Sequence, residues 1–136
     1  MKEEQLIQYA LDARKYAYAP YSGYAVGAAL LSSDGVIFTG CNVENAAYGP
    51  SNCAERTALF KAVSEGVRGF RAIAIVGGKG DEISDYAYPC GVCRQVMAEF
   101  CNAKEFRIIV ATSTTDYCVC TLDELLPNGF GAANLQ

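Results

Sequence analysis

Apolar residues recur along the first third of the chain with two periods, one typical of a helix and one typical of strands. Residues 3–17 are predicted to form an amphipathic helix, whose inner face comprises Leu6, Tyr9, Ala10, Ala13 and Ala17. The proline and glycine of APYSGY end this helix. The stretches YAVGAALLS and VIFTGC then flank the turn sequence SDG, which predicts a β-hairpin.

The next part of the chain alternates a polar loop, a helix and a buried strand. NVENAAYGPSN is polar and rich in turn residues, and loops of this length more often carry function than merely connect elements. CAERTALFKAVSEG is predicted to be a helix that ends near Gly66, with an inner face of Ala58, Leu59, Ala62 and Val63. RAIAIVGG is a continuous apolar run, which indicates a strand buried on both faces.

The last part of the chain repeats this alternation. A glycine-rich and acidic loop at 79–88 leads into CGVCRQVMAEF, a predicted helix, and FRIIVAT is the next buried strand. YCVCTL predicts one more strand, and TLDELLP a short helix with Thr121 and Glu124 at capping-box spacing. Strands that alternate with helices favour parallel pairs joined by right-handed crossovers, whereas the hairpin makes the sheet mixed. We therefore expect a three-layer α/β/α fold with a mixed sheet of about five strands.

Length and composition describe an ordinary globular protein. The 136 residues suit a single domain spanning 1–136, with 51% apolar and 19% charged residues. No apolar run is long enough to span a bilayer, and MKEEQLIQYA does not resemble a signal peptide, so the cytoplasm is the expected location. The net charge of −4 argues against binding of a nucleic-acid polymer; if a nucleic-acid component is bound, a neutral nucleoside fits better than a nucleotide.

The chain has seven cysteines and no histidine. An odd number without an export signal argues against a disulfide framework and leaves free thiols or metal ligands. Four of them lie in predicted strand or helix patterns and are interpreted as small core residues: Cys41, Cys101, Cys118 and Cys120. By its spacing alone, the remaining C-x-x-C pair in YPCGVCRQ fits a redox site and a metal site equally well.

The predicted elements give three cysteines a common location. Cys53 starts one helix, whereas Cys90 and Cys93 occupy the first turn of the next, and both helices precede buried strands of the same sheet. The partial positive charge of a helix N-terminus lowers the pKa of a thiol and so favours the thiolate that binds metal. Three thiolates on a tetrahedral zinc would leave one position open, which is typical of catalytic zinc rather than structural zinc.

Charged neighbours of these cysteines extend the hypothesis. Glu55 lies two residues after Cys53, from where its carboxylate could exchange protons with a water activated by the metal without binding the metal. Three thiolates on a divalent ion leave a net negative charge. A guanidinium of Arg56 or Arg94 that donates to sulfur would offset this charge.

Together, NCAERTAL and PCGVCRQ, preceded by APYSGYAVGAAL and GCNVENAAYGPSNCAE, resemble the small homotetrameric cytidine deaminases with a three-cysteine zinc site. The resemblance runs from the first helix through ELLPNGF. It implies hydrolytic deamination of cytidine and deoxycytidine to uridine and deoxyuridine plus ammonia, as in pyrimidine salvage. It also implies one zinc per chain on Cys53, Cys90 and Cys93, with Glu55 as the catalytic proton shuttle.

The resemblance further implies substrate contacts. Asn42 and Glu44 match residues that bind the ribose hydroxyls, and Arg56 matches an arginine that donates to the zinc thiolates. The N–H of Ala54 and the carbonyl of Tyr88 match the groups that hydrogen-bond the edge of the base. The ring of Tyr24 matches an aromatic residue of the pocket. Phe130 matches an aromatic residue donated by a neighbouring subunit, and Tyr48 matches a residue at the subunit contact. Tyr88 departs from the family pattern, in which serine is common at this position. The larger side chain could change the width of the pocket near the amino group of the base.

Two alternatives remain open on the sequence. One is deamination of another nucleoside-like substrate, such as a nucleoside antibiotic or a nucleotide. The other is a non-catalytic zinc-binding or thiol-redox module, although a redox C-x-x-C needs neither a third cysteine nor the CAE sequence. Zinc content together with a cytidine assay separates these classes.

Overall fold

The computed structural model covers Met1–Gln136 and begins with helix α1, Glu3–Arg14. This helix is shorter than the prediction because the chain must become extended at Tyr18, whose N–H donates to the Asn42 carbonyl at 2.9 Å. Its buried residues are Leu6, Ile7, Ala10 and Ala13. The prediction that Tyr9 faces the core is wrong, since Tyr9 is 47% exposed. The buried stripe is centred on Ala10, and Tyr9 lies about 100° away around the helix.

Five strands form one mixed sheet in the order β2-β1-β3-β4-β5. The predicted hairpin is present as β1, Tyr24–Ser32, paired antiparallel with β2, Ile37–Cys41. Strand β3, Phe70–Lys79, is antiparallel to β1 and parallel to β4, Arg107–Ala111. Strand β5, Tyr117–Thr121, is antiparallel to β4 at the edge of the sheet. The expected mixed sheet of five strands is therefore confirmed.

Helices cover both faces of the sheet, as the three-layer prediction requires. Helix α1 packs on one face, over a cluster that includes Leu31, Val76 and Ile109. Helices α2, Ala54–Ser64, and α3, Gly91–Phe100, pack on the other face over the larger cluster of 16 buried residues. Strand β3 is buried from Ala72 to Gly78, which agrees with its continuous apolar sequence.

The remaining elements close the C-terminal end of the chain. Helix α4, Leu122–Leu125, has the predicted capping box, in which the Thr121 N–H donates to Glu124 Oε1 at 2.9 Å. A short 3₁₀ helix follows at Ala132–Leu135, which the sequence patterns did not predict. None of the helices combines the length and the apolar character that a membrane crossing would need.

The topology determines where helices α2 and α3 begin. Helix α2 precedes β3 and α3 precedes β4, and these two strands are neighbours that run in the same direction. A helix that packs antiparallel to such strands starts at their carboxyl ends, where the loops of an α/β sheet gather. The N-termini of α2 and α3 therefore lie at the same end of the sheet, and both carry cysteines.

Candidate active site

Three cysteine sulfurs meet where α2 and α3 begin. Cys53 is the N-cap residue of α2, Cys90 is the N-cap residue of α3, and Cys93 lies in the first turn of α3. Their sulfur atoms all lie within 4.8 Å of one another, and the Cys53 and Cys90 sulfurs are 3.8 Å apart. The predicted convergence of these cysteines is thus present in the structure.

The charges around the cluster favour a bound cation. Hydrogen bonding to Cys93, reinforced by Arg56 and Cys90, lowers the pKa of Cys53 to about 5. The same hydrogen bond to Cys53 raises the pKa of Cys93, because without a metal these neighbouring sulfurs share a proton instead of both ionising. A zinc ion takes three thiolates as ligands and so removes this conflict. The donor set therefore fits zinc, with one tetrahedral position left for another ligand.

Arg56 is the guanidinium that contacts the cluster. It lies one turn after Cys53, and its Nη2 donates to the Cys53 sulfur at 3.2 Å. Burial lowers the pKa of Arg56, but hydrogen bonds with the sulfurs of Cys53 and Cys93 outweigh burial and raise it above its ordinary value. The buried Nε of Arg56 has no hydrogen-bond partner. This guanidinium, with one buried donor left unpaired and another bonded to the Cys53 sulfur, is consistent with a negatively charged metal–thiolate centre.

Arg94 does not have the role that the sequence allowed for it. Its Nε donates to the Pro89 carbonyl and its Nη1 to the Leu125 carbonyl, both at 2.7 Å. Leu125 ends helix α4, so its carbonyl lacks a partner within the helix and is free to accept. Arg94 therefore links the residue before Cys90 to α4 rather than compensating the thiolates.

A cavity of about 270 Å³ opens beside the cysteines. Its wall contains the predicted residues Tyr24, Asn42, Glu44, Cys53, Ala54, Glu55, Tyr88 and Cys90, together with Ser22, Val26 and Ala87, which sequence reasoning missed. No lysine or arginine lines this cavity. A second cavity, of about 370 Å³, lies near the start of α1 and includes none of the predicted site residues.

Glu55 is a buried carboxyl group at the edge of the cavity. Only 4% of the residue is exposed, and burial raises its pKa to about 7. A carboxyl group with such a pKa can both accept and release a proton near neutral pH. The structure thus brings Glu55, two residues after Cys53 in helix α2, to the same cavity as the sulfurs of Cys53 and Cys90.

Asn42 and Glu44 are oriented by the first strand and the turn before it. Asn42 Oδ1 accepts from the Val26 N–H at 2.8 Å, and its Nδ2 donates to the Tyr24 carbonyl at 2.7 Å. Glu44 Oε1 accepts from the N–H groups of Tyr21 and Ser22, both at 3.0 Å. The Asn42 amide keeps one hydrogen and one lone pair that these bonds do not use.

Ser22 is a missed residue with a clear contact. Its hydroxyl donates to Glu44 Oε2. Hydrogen bonds from the Ser22 side chain and backbone lower the pKa of Glu44, which keeps this carboxylate charged. The serine lies in the turn sequence PYSGY, where it looked like ordinary turn polarity, so no local signal distinguished it.

Two predicted residues do not line the cavity of their own chain. Phe130 is 57% exposed, and its carbonyl accepts from Gln95 Nε2 at 2.8 Å. Tyr48 is 72% exposed and has a φ of 53°, a left-handed backbone conformation that bulky residues rarely adopt. Neither position contradicts a role at a subunit contact, and neither tests it.

The fold and this site define a zinc-dependent hydrolytic enzyme of the α/β class, with an all-cysteine metal site and a buried carboxyl group. A family comparison matches residues 1–110 to the cytidine and deoxycytidylate deaminase zinc-binding region. The chain belongs to this deaminase family.

Individual relatives agree over the full length. The chain is 49% identical to a cytidine deaminase from Sporosarcina psychrophila, over 100% of this chain and 96% of the relative. It is 48% identical to a cytidine deaminase from Halalkalibacterium halodurans, over 100% and 99% of the two chains. The crystal structure of cytidine deaminase from Burkholderia pseudomallei superposes with a TM-score of 0.87 at 48% identity, covering 96% of this chain and 100% of that one.

Proposed function

We propose that this chain forms a single domain that deaminates cytidine and deoxycytidine by hydrolysis, giving uridine or deoxyuridine and ammonia. The observation that carries the proposal is the buried Glu55 carboxyl on the wall of a nucleoside-sized cavity, next to the cluster of Cys53, Cys90 and Cys93. The full-length similarity to cytidine deaminases supports the same substrate. The reaction belongs to pyrimidine salvage, and we place it in the cytoplasm.

In the mechanism, Cys53, Cys90 and Cys93 hold one zinc per chain. Zinc, when bound, acts as a Lewis acid that lowers the pKa of water to about 7. Glu55 accepts the proton of the attacking water and donates it to the ring nitrogen beside the amino-bearing carbon. The water oxygen forms the new bond to that carbon. Glu55 then transfers the second proton of that oxygen to the amino group, the carbon–oxygen double bond forms as the carbon–nitrogen bond breaks, and ammonia leaves.

The other predicted residues orient the nucleoside. Asn42 and Glu44 bind the ribose hydroxyls, for which the unused donor and acceptor of Asn42 are available. The Ala54 N–H and the Tyr88 carbonyl bind the base edge, and Tyr24 supplies an aromatic wall. Since no lysine or arginine lines the cavity, we expect no charge compensation for a phosphate, and we propose a nucleoside rather than a nucleotide as substrate.

We also propose that the enzyme is a homotetramer in which Phe130 enters the cavity of a neighbouring subunit. Phe130 is 57% exposed in its own chain and lies outside its own cavity. Tyr48 extends into solvent from a left-handed backbone conformation, and its ring meets Tyr21 edge-on at 6.1 Å. A strained backbone that exposes an aromatic ring is typical of a functional contact, here between subunits.

Zinc analysis combined with a substrate assay tests the proposal. We expect about one zinc per chain and loss of cytidine absorbance with release of ammonia, whereas the corresponding monophosphates react far more slowly. Stoichiometric zinc without turnover of any pyrimidine nucleoside would indicate a non-catalytic zinc module. Absence of zinc together with a reactive Cys90–Cys93 dithiol would indicate a redox protein.

Glu55→Gln tests the proton shuttle. We expect kcat for cytidine to fall by about 10²–10⁴-fold, because the amide cannot transfer protons, while zinc content stays the same. Glu65→Gln, at the exposed end of the same helix, is the matched control and should leave kcat unchanged. Near-normal turnover in the Glu55 variant would remove this residue from the mechanism.

A further inference from the structure

One wall of the cavity is built by a segment without helix or strand. Residues 80–89 connect β3 to α3, and Ala87 and Tyr88 from this segment line the cavity together with Cys90. From Asp81 to Ala87, no main-chain N–H donates a hydrogen bond to the main chain. The segment therefore depends on side chains to stay in place.

Two tyrosine hydroxyls connect this segment to the sheet edge. Tyr86 Oη donates to Asp116 Oδ1 at 2.6 Å, and Tyr88 Oη lies 3.1 Å from the Cys118 sulfur. The tyrosines are two residues apart, and so are their partners: Asp116 immediately precedes β5 and Cys118 is its second residue. The Tyr88 N–H donates to the Tyr86 carbonyl at 3.2 Å, so a tight turn at Ala87 separates the two tyrosines whose hydroxyls contact these residues.

The partners are themselves fixed. Thr112 Oγ1 donates to Asp116 Oδ2 at 2.5 Å, and the Thr112 N–H donates to the Asp116 carbonyl at 2.9 Å. The Cys118 side chain packs against the main core from strand β5. Both tyrosines therefore reach positions that the sheet and its turn hold in place.

The contacts are local and lie at the surface. Tyr86 and Tyr88 are 42% and 47% exposed, so neither ring is a core residue. Hydrogen bonds at such sites contribute little to global stability but can determine whether a segment opens locally. At its C-terminal end the segment is held by Arg94, whose Nε donates to the Pro89 carbonyl at 2.7 Å. This bond anchors the residue before Cys90 without help from the tyrosine hydroxyls.

We propose that the Tyr86–Asp116 and Tyr88–Cys118 contacts fix the wall of the cavity against which the nucleoside base binds. Asp116, Cys118 and Tyr86 are then positioning residues, which act on the substrate through residues 87 and 88. This inference rests on the proposed deaminase function and extends it to strand β5, none of whose residues lines the cavity.

The test uses the zinc-loaded enzyme with Tyr88→Phe, Cys118→Ala and the double variant. We expect each single variant to raise KM for cytidine about fivefold, the equivalent of one hydrogen bond, while kcat changes less than KM. The double variant should be no worse than either single variant, because both remove the same contact. The matched control is Cys120→Ala, whose sulfur contacts the Ile108 carbonyl at 3.7 Å within the sheet and should leave KM unchanged.

A second readout does not depend on turnover. Hydrogen–deuterium exchange of residues 84–88 should accelerate in Tyr88→Phe and Cys118→Ala but not in Cys120→Ala, with zinc content unchanged. Both cysteine variants lose a sulfur packed against the main core, so we expect similar falls in their thermal midpoints. Unchanged KM and exchange, loss of zinc, or an equal effect of Cys120→Ala would each overturn the proposal. If the wild-type protein did not deaminate cytidine, the proposed function would fall, whereas exchange would still show whether the hydroxyls hold the segment.

Discussion

Arg56 and Arg94 carry the same charge and both lie within one turn of a cluster cysteine, yet they have different partners. Arg56 donates to the Cys53 sulfur at 3.2 Å, whereas both bonds of Arg94 go to the carbonyls of Pro89 and Leu125. Helical spacing allowed either arginine to reach sulfur. The free carbonyl at the end of α4 is what directs Arg94 away from the cluster.

Arg56→Gln tests the compensation of charge at the metal site. Removal of the guanidinium leaves the net negative charge of three thiolates on zinc without its neighbouring cation, so we expect zinc affinity to fall by about 10–100-fold. Competition with a chelator measures this change. Arg68→Gln is the control, since Arg68 lies past the end of α2 and donates only to the Val63 and Val67 carbonyls. Equal zinc affinities in the two variants would contradict the role of Arg56.

At the scale of elements, the site depends on how closely α2 packs on strand β2. A Cβ added at Gly40 would lie 2.4 Å from the Ala54 carbonyl oxygen and 2.6 Å from the Ala58 nitrogen. Both atoms are main-chain atoms in the first turns of α2, next to Cys53 and Glu55. A side chain at position 40 would therefore displace the part of the helix that carries the chemistry.

Gly40→Ala should consequently affect both stability and the site. We expect the free energy of unfolding to fall by about 1–3 kcal/mol, as for other overpacked positions, and kcat for cytidine to fall as Glu55 moves. Thermal unfolding and the cytidine assay measure the two effects. Gly131→Ala is the control, because its Cβ would meet only the Ala98 carbonyl oxygen, at 3.9 Å. An unchanged thermal midpoint in the Gly40 variant would show that α2 moves away freely.

On the scale of the whole molecule, the sheet brings the residues of the candidate site together at one end, and several aromatic side chains remain exposed away from the core. The parallel neighbours β3 and β4 bring the N-termini of α2 and α3 together at one end. Exposed aromatic residues remain elsewhere on the surface, among them Tyr18, Tyr21, Tyr48 and Phe130. In the proposed homotetramer, Tyr48 and Phe130 would lie at contacts between subunits.

Complementation between subunits tests this proposal. Glu55→Gln and Phe130→Ala chains, each defective alone, should regain activity when they are co-expressed. A subunit with an intact Glu55 would then receive an intact Phe130 from its neighbour, in about a quarter of sites for random assembly. Sedimentation should show about four times the chain mass. The control mixes the two proteins after separate assembly, and equal activity in both mixtures would contradict a shared site.

Much of this architecture could be predicted from local patterns. The continuous apolar sequence of β3, the hairpin and the capping box of α4 are all present. The predicted burial of Tyr9 was wrong because helical periodicity shows which side of α1 is apolar but not how wide the buried face is. Gly27 of β1 lies directly against the Ala10 carbonyl, so the buried face is centred on Ala10. Tyr9 lies at the edge of this face and remains exposed. The 3₁₀ helix at Ala132–Leu135 lacked an apolar pattern that could predict it.

The sequence by itself determined the order of the elements, the convergence of Cys53, Cys90 and Cys93, and the place of Glu55 beside them. These features depend on short-range periodicity and on which helix precedes which strand, and both are local properties of the chain. Only the tertiary structure decided that Arg94 donates to the carbonyl at the end of α4, that Ser22 donates to Glu44, and that the Tyr88 hydroxyl contacts the Cys118 sulfur. Those contacts join residues 31, 22 and 30 positions apart, and they depend on how loops settle on the sheet, which no periodic pattern encodes.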